Sequence, residues 1–295
     1  MAKMHADEVE TDADLVQRLL SAQFPQWAGL PIRRLPSGGT VNAIYRVGTG
    51  LTVRLPLTAT GTEVLDREAR CLEQLAPLVP VVIPAVAGIG VASEDFPSAW
   101  AVHRWIDGEV LVEGRVAAPE RLARDLAAFV TALHKVDLDG GAPAHRGAPL
   151  VTADTETRTA IEDLRLTDEP FDADAALAAW EAALAVPAWP AALRWIHSDL
   201  MPSNLLVVDD RLAAVLDFST VGTGDPAADL IPAWNLLPPS ARQVFRDCVD
   251  VDDDTWARGR GWALSMAVTQ LPYYRHTNPV ISANARYVIG QILAG

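Results

Sequence analysis

His197, Asp199 and Asn204 stand within eight residues of one another, and Asp217 follows after two short apolar runs, in the stretch WIHSDLMPSNLLVVDDRLAAVLDFSTVGTGDPAAD from Trp195 to Asp229. Leu205 to Val208 and Leu212 to Leu216 read as strands joined by an Asp209-Asp210 turn, a hairpin that returns Asp217 beside Asn204. A carboxylate and an amide oxygen converging there are hard ligands of the kind Mg²⁺ takes together with water and phosphate oxygens. Phosphoryl transfer needs that arrangement, because its transition state spreads negative charge over the moving group and the acceptor must be held in line. One carboxylate must bridge metal and phosphates, an amide completes a second metal position, and a separate carboxylate orients or deprotonates the acceptor hydroxyl. Asp217, Asn204 and Asp199 suit those roles in that order, and His197, two residues before Asp199, is read as a brace for the loop. Asp and Asn in loops are ordinarily turn formers or caps. Asp209 and Asp210 are read that way, Asp225 as a cap for the following helix, and Asp229 is open to being solvated.

The elements around this segment divide the chain near residues 104 to 110. Thr11 and Asp14 fit a capping box ahead of the stripe Leu15, Val16, Leu19 and Leu20. Val41 to Val47 and Leu51 to Leu55 read as a hairpin that turns at Gly48 to Gly50, with Arg54 on the face opposite Leu51, Val53 and Leu55. A helix from Thr62 to Ala76 buries Leu65, Leu72 and Leu75, and Glu68 lies inside that stripe. A buried carboxylate needs a partner; Arg54 is the available cation, and the alternative is that Glu68 reaches solvent at the stripe's edge. Ser37-Gly38-Gly39-Thr40 is either a phosphate-cradling turn of backbone N–H groups or a plain hairpin entry. Val81 to Val91 and Trp100 to Trp105 read as further strands. Helices are expected from Pro119 to His134, 153 to 166, 172 to 186, 239 to 248, 254 to 271 (stopped by Pro272) and 281 to 293, with a surface loop over 137 to 152.

Composition bounds the rest. A chain of 295 residues, half of them apolar, can bury a full core, and its formal charge of -14 argues against a nucleic-acid or anionic-membrane partner while permitting a cationic small substrate. The two cysteines, Cys71 and Cys248, have neither metal-ligand spacing nor disulfide density. With no apolar core in Met1 to Glu10 and no span-length apolar run, a cytoplasmic location is expected.

The residues from His197 to Asn278, with the Arg54 strand, the Glu68 helix, the segment Val102 to Glu109 and Ala132-Leu133-His134, closely resemble the aminoglycoside phosphotransferase family, a branch of the protein-kinase-like fold that includes choline kinases. The resemblance implies an α+β, bilobal chain. Residues 1–105 would form a nucleotide-binding lobe of antiparallel sheet and one main helix, and residues 106–295 a larger, mostly helical catalytic and acceptor-binding lobe. It implies Asp199 as the catalytic Asp, Asn204 and Asp217 as Mg²⁺ ligands, Asp229 as support for the loops, Arg54 held by Glu68 at the nucleotide phosphates, and Ser37, Gly38 and Gly39 over them. The base would lie against backbone near His103 to Trp105. ATP or GTP with Mg²⁺ and a small hydroxylated acceptor, an aminoglycoside or other cationic antibiotic or a metabolite, complete the expectation. Three positions depart from the family pattern: Ser198 and Ser219 stand where glycines are usual, and Arg54 where lysine is. A nucleotide-binding module with impaired catalysis is the alternative those departures leave open; a metal-dependent phosphohydrolase would explain neither the Arg54/Glu68 pair nor the two-lobe pattern. The acceptor is expected among residues 153 to 186 and the C-terminal helices, where Asp154, Glu156, Glu162 and Asp163 are acidic candidates. Trp262, Tyr273, Tyr274 and His276 are read either as its wall or as core.

Overall fold

The computed structural model describes residues 9–36, 41–58, 60–111, 116–138 and 140–294. The chain forms two compact units, Met1–Pro77 with Val82–Asp107, and Leu78–Val81 with Gly108–Gly295.

The first unit opens with α1 (Ala13–Gln23). Its cap is Asp12, not the expected Thr11: Asp12 Oδ1 accepts the Leu15 N–H at 2.7 Å, while the Thr11 hydroxyl oxygen accepts from the Tyr45 hydroxyl at 2.9 Å. The stripe Leu15, Val16, Leu19 and Leu20 is buried as its spacing requires. β1 (Ile32–Arg34), β2 (Asn42–Val47), β3 (Leu51–Pro56), β4 (Val86–Gly90) and β5 (Trp100–Arg104) make one antiparallel sheet in the order β1-β2-β3-β5-β4. Strand β4 is shorter than the expected Val81 to Val91, because Pro84 cannot donate to a ladder. Between β3 and β4 runs α2 (Thr62–Leu75), where Leu72 and Leu75 are buried and Leu65 is half-buried. One face of the sheet, including Tyr45, Val53 and Val102, packs with α1 and Trp100 into a continuous core.

In the second unit β6 (Glu109–Val110) is followed by α3 (Pro119–His134), α4 (Asp154–Arg165), α5 (Ala173–Leu184) and β7 (Arg194–Ile196). The hairpin β8 (Leu205–Val208) and β9 (Arg211–Val215) pairs with β6, and β10 (Gly222–Gly224) pairs with β7. The last elements are α6 (Pro232–Asn235), α7 (Pro239–Val249), α8 (Asp253–Tyr274) and α9 (Pro279–Leu293). Helix α8 is buried along most of its length and packs on α9, α4 and α5. It runs through Pro272, where a stop was expected: proline removes one N–H, but the Arg275 N–H donates to the Leu271 carbonyl at 3.0 Å and closes the turn beyond it. Among the described residues no helix is long and apolar enough to cross a membrane.

Candidate active site

The hairpin β8–β9 turns on Asp209 and Asp210, both left-handed with φ of 50° and 59°, the two-residue geometry whose twist matches the strands. At its open end the Leu216 N–H donates to the Asn204 carbonyl at 2.7 Å. Asp217 therefore follows directly on the backbone pair that contains Asn204. Asp217 is itself left-handed (φ 61°), a conformation aspartate tolerates better than most residues, and its Oδ1 accepts from the Ser219 hydroxyl at 2.8 Å. Ser219 thus fixes the Asp217 carboxylate, in a place where glycine was the family expectation.

The loop after β7 is held from beneath. Asp229 is fully buried; its two oxygens accept the backbone N–H groups of Ser198 at 2.7 Å and His197 at 3.0 Å, and His134 Nε2 approaches at 3.3 Å. The solvated reading of Asp229 is therefore wrong, and a carboxylate buried there is stabilised by the donors around it. His197 is also fully buried. The Asp199 N–H can only donate and the Leu216 carbonyl can only accept, so their contacts with Nδ1 (3.3 Å) and Nε2 (2.9 Å) place the imidazole proton on Nε2. With both ring nitrogens bound to backbone and Phe218 edge-on at 4.9 Å, His197 links the loop to the end of β9.

Ser198 has φ 65°, which explains why glycine is the usual occupant of this position. The left-handed backbone costs a residue with a side chain about 1–2 kcal/mol. Ser198 offsets part of that cost by donating its hydroxyl to the Thr220 carbonyl at 2.9 Å.

Asp199 emerges from this support with both carboxylate oxygens fixed. Asn204 Nδ2 donates to Oδ2 at 3.1 Å and to the Asp199 carbonyl at 2.9 Å, which leaves Asn204 presenting its amide oxygen. Arg146 Nη1 donates to Oδ1 at 2.9 Å and to the Ser198 carbonyl at 3.2 Å. The sequence reading missed Arg146, which lies in the 137–152 loop. That loop is an added strand in effect: backbone bonds tie Ala142 and Ala144 to Thr223, His145 to Thr220 and Gly147 to Asp225. The approach is so close that a Cβ on Gly222 would come within 2.4 Å of the Ala142 carbonyl oxygen. The one usable signal was that Arg146 is the sole cation of a Gly- and Pro-rich loop. Asp225 caps the turn after it as expected, accepting the Ala227 N–H at 3.0 Å. It also forms a buried two-bond pair with Arg258 at 2.7 and 3.3 Å, which spacing did not reveal.

The remaining candidates lie in the first unit or away from the loop. Arg54 Nη1 donates to Glu68 Oε1 at 3.2 Å with both side chains largely buried, so Glu68 does not reach for solvent. His103 is buried on β5 opposite Thr52. The Arg104 and Trp105 N–H groups donate to the Ala85 and Gly50 carbonyls at 2.8 and 2.9 Å. Trp105 lies beneath the Arg46 guanidinium, 3.6 Å from the ring centroid, and donates its indole N–H to Asp107 at 2.6 Å. Ser37, Gly38 and Gly39 fall outside the described residues. Of the acidic acceptor candidates, Asp154 takes hydrogen bonds from Trp180 and Arg158, Glu162 pairs with Arg165, and Glu156 and Asp163 are exposed. Trp262 is core, Tyr273 is exposed with Tyr274 edge-on to it, and His276 accepts from Arg275.

Comparison with known proteins matches this architecture. Among solved structures, the GDP and kanamycin complex of APH(2")-IIia aligns over 95% of this chain and 98% of its own at 20% identity and a TM-score of 0.72. The GDP complex of wild-type aminoglycoside 2'-phosphotransferase-IIIa aligns over 96% and 99% at 18% identity and 0.71. Macrolide 2'-phosphotransferase MphH from Brachybacterium faecium aligns over 95% and 97% at 22% identity and 0.59. These similarities establish the protein-kinase-like α+β fold. No curated protein matches the sequence. The family described as "APH: Phosphotransferase enzyme family" matches residues 32–262, well over half of the chain, and the chain belongs to that family.

Proposed function

We propose that the chain transfers the γ-phosphoryl group of ATP or GTP to a hydroxyl of a small molecule, with Mg²⁺ as the metal and Asp199 as the group that receives or orients the acceptor proton. The observation that carries this reading is the geometry of Asp199, a partly exposed carboxylate held on both oxygens in a loop braced by His197 and Asp229. A carboxylate fixed in this way presents an acceptor hydroxyl with one orientation, and positioning supplies much of the rate in phosphoryl transfer. Asn204 and Asp217 fit Mg²⁺ by donor chemistry: an amide oxygen, its nitrogen turned to Asp199, stands next to a carboxylate at the hairpin's end. When bound there, the ion would neutralise phosphate charge. In the first unit Arg54, fixed by Glu68, is the cation we assign to the nucleotide phosphates.

Family membership supports the phosphotransferase class, and the similar structures, a GDP and kanamycin complex and a macrolide phosphotransferase among them, support a nucleotide and a small hydroxylated acceptor. Melting-temperature shifts with ATP or GTP, with and without Mg²⁺, test the nucleotide half of the proposal. Wild type should be stabilised more by nucleotide with Mg²⁺ than by nucleotide alone, and Asp217→Ala should lose most of that increment. An unchanged increment in Asp217→Ala would remove it from the metal site. Binding without transfer across a broad acceptor panel would leave a nucleotide-binding module.

A further inference from the structure

Arg146 holds the Asp199 carboxylate and the Ser198 carbonyl, yet it lies outside every helix and strand. Its backbone is fixed from either side instead. The His145 N–H donates to the Thr220 carbonyl at 3.1 Å, and the Gly147 carbonyl accepts the Asp225 N–H at 2.7 Å. Gly147 is buried at a positive φ of 104°, and a Cβ there would stand 2.5 Å from Ile196 Cδ1 and 3.2 Å from the Asp225 nitrogen. Packing this close transmits strain. A shift of Asp225 therefore passes into the loop one residue from Arg146.

Asp225 is in turn fixed by more than its cap requires. Capping takes one N–H, that of Ala227, and a neutral Asn would accept it as well. The carboxylate is instead 3% exposed and faces a guanidinium that is 2% exposed. Arg258 Nε donates to Oδ2 at 2.7 Å and Nη2 to Oδ1 at 3.3 Å. Nη2 and Nη1 also donate to Thr255 Oγ1 and the Pro187 carbonyl, both at 3.0 Å. Desolvating two charges offsets much of their attraction, so a buried ion pair adds little net stability over apolar packing. What the two-bond fork adds is direction, because guanidinium and carboxylate match in one plane. We propose that Arg258, through Asp225, is a positioning residue for phosphoryl transfer: the ion pair sets the Gly147 backbone, Gly147 sets Arg146, and Arg146 holds Asp199. The proposal rests on the phosphotransferase reading and extends its site to the buried face of α8.

The test is a double-mutant cycle on transfer kinetics, with the reactivity of individual arginines toward p-hydroxyphenylglyoxal read by mass spectrometry on the same samples. Arg258→Lys keeps the charge and removes the fork. It should lower kcat about tenfold, within what a misplaced reacting group costs, and leave nucleotide KM unchanged. In an Arg146→Ala background it should lower kcat no further, because the link it acts through is gone. Arg146 should react faster in Arg258→Lys than in wild type, while Arg242, bound to the Ala233 carbonyl and Gln291, reacts at its wild-type rate. Additive losses of kcat in the double variant overturn the proposal, as does unchanged reactivity of Arg146. Equal acceleration at Arg146 and Arg242 also overturns it, since that marks a loosened fold and not a specific link. If Arg258→Lys does not fold, Thr255→Val, which removes one oxygen the guanidinium donates to, decides the matter by the same readouts. Absence of transfer in wild type would count against the phosphotransferase reading, and the arginine reactivities would still decide whether Arg258 sets Arg146.

Discussion

At the scale of single residues, the site works by exhausting the alternatives open to each side chain. His197 has both nitrogens bound to backbone, so it cannot also serve as a base; Asp229 accepts the two N–H groups that the loop would otherwise bury unpaired. Asp199 keeps a partly exposed carboxylate, and Arg146 and Asn204 set its direction. We expect Arg146→Ala to lower kcat for transfer about 10²-fold, the cost of a misplaced reacting group, with little change in nucleotide KM. Arg146→Lys should recover part of the loss, since one nitrogen makes both contacts. Steady-state kinetics on the two variants checks this, and a wild-type kcat in Arg146→Ala would show that Asn204 suffices to hold Asp199. The meeting of His197, Asp199 and Asn204 was legible because they sit close together in one short loop. Arg146 was not, because its partner is 53 residues away and nothing in a Gly- and Pro-rich loop announces a long-range ion pair.

At the scale of elements, the hairpin β8–β9 carries Asn204 and Asp217, and α3 clamps it. Asp125 receives hydrogen bonds from Arg211 Nε and Nη2, both at 2.7 Å, and from the Leu212 N–H at 3.2 Å. Burial pushes the Asp125 carboxyl up, but the Arg211 guanidinium and the Leu212 N–H outweigh it and hold the group below the usual carboxylate range. A depressed folded-state pKa means stability present above the unfolded value, about 3.9 for aspartate, and lost as pH falls through the folded one. Asp125→Asn should therefore destabilise the chain by roughly 1–3 kcal/mol near neutrality, with the difference shrinking as pH drops below about 4. Thermal melts of both proteins across that range decide it; a constant difference down to the lowest pH would rule the charge out as its source. The hairpin and the long helices were readable from period and turn residues. β1, β6 and β10, of three, two and three residues, are too short to show a period and exist through partners distant in sequence. Pro272 misled because a rule about helix interiors does not say whether the turn beyond will close.

At the scale of the whole molecule, the two units bury their own cores and differ in how they treat a thiol. Cys71, half-buried on α2, has its pKa raised to about 11 by burial and then by the neighbouring Glu68 carboxylate, whereas Cys248 is exposed at the end of α7. Thiolate is the reacting form, so a maleimide or iodoacetamide near pH 8 should modify Cys248 first and leave Cys71 largely unmodified until the fold opens; mass spectrometry of early time points resolves the order, and equal rates would contradict the burial of α2. The fold, and the gathering of His197, Asp199, Asn204 and Asp217 around one hairpin, were accessible from the sequence together with its family resemblance. The link from Arg258 through Asp225 and Gly147 to Arg146 was not, since segments far apart in sequence build it and no local pattern encodes their meeting. The most direct test of the proposed chemistry is phosphoryl transfer from Mg²⁺-nucleotide by wild type and Asp199→Ala, measured with nucleotide affinity on the same samples. A loss of about 10²–10⁴-fold in transfer, with nucleotide binding retained, is the expected result, and transfer at the wild-type rate would contradict it.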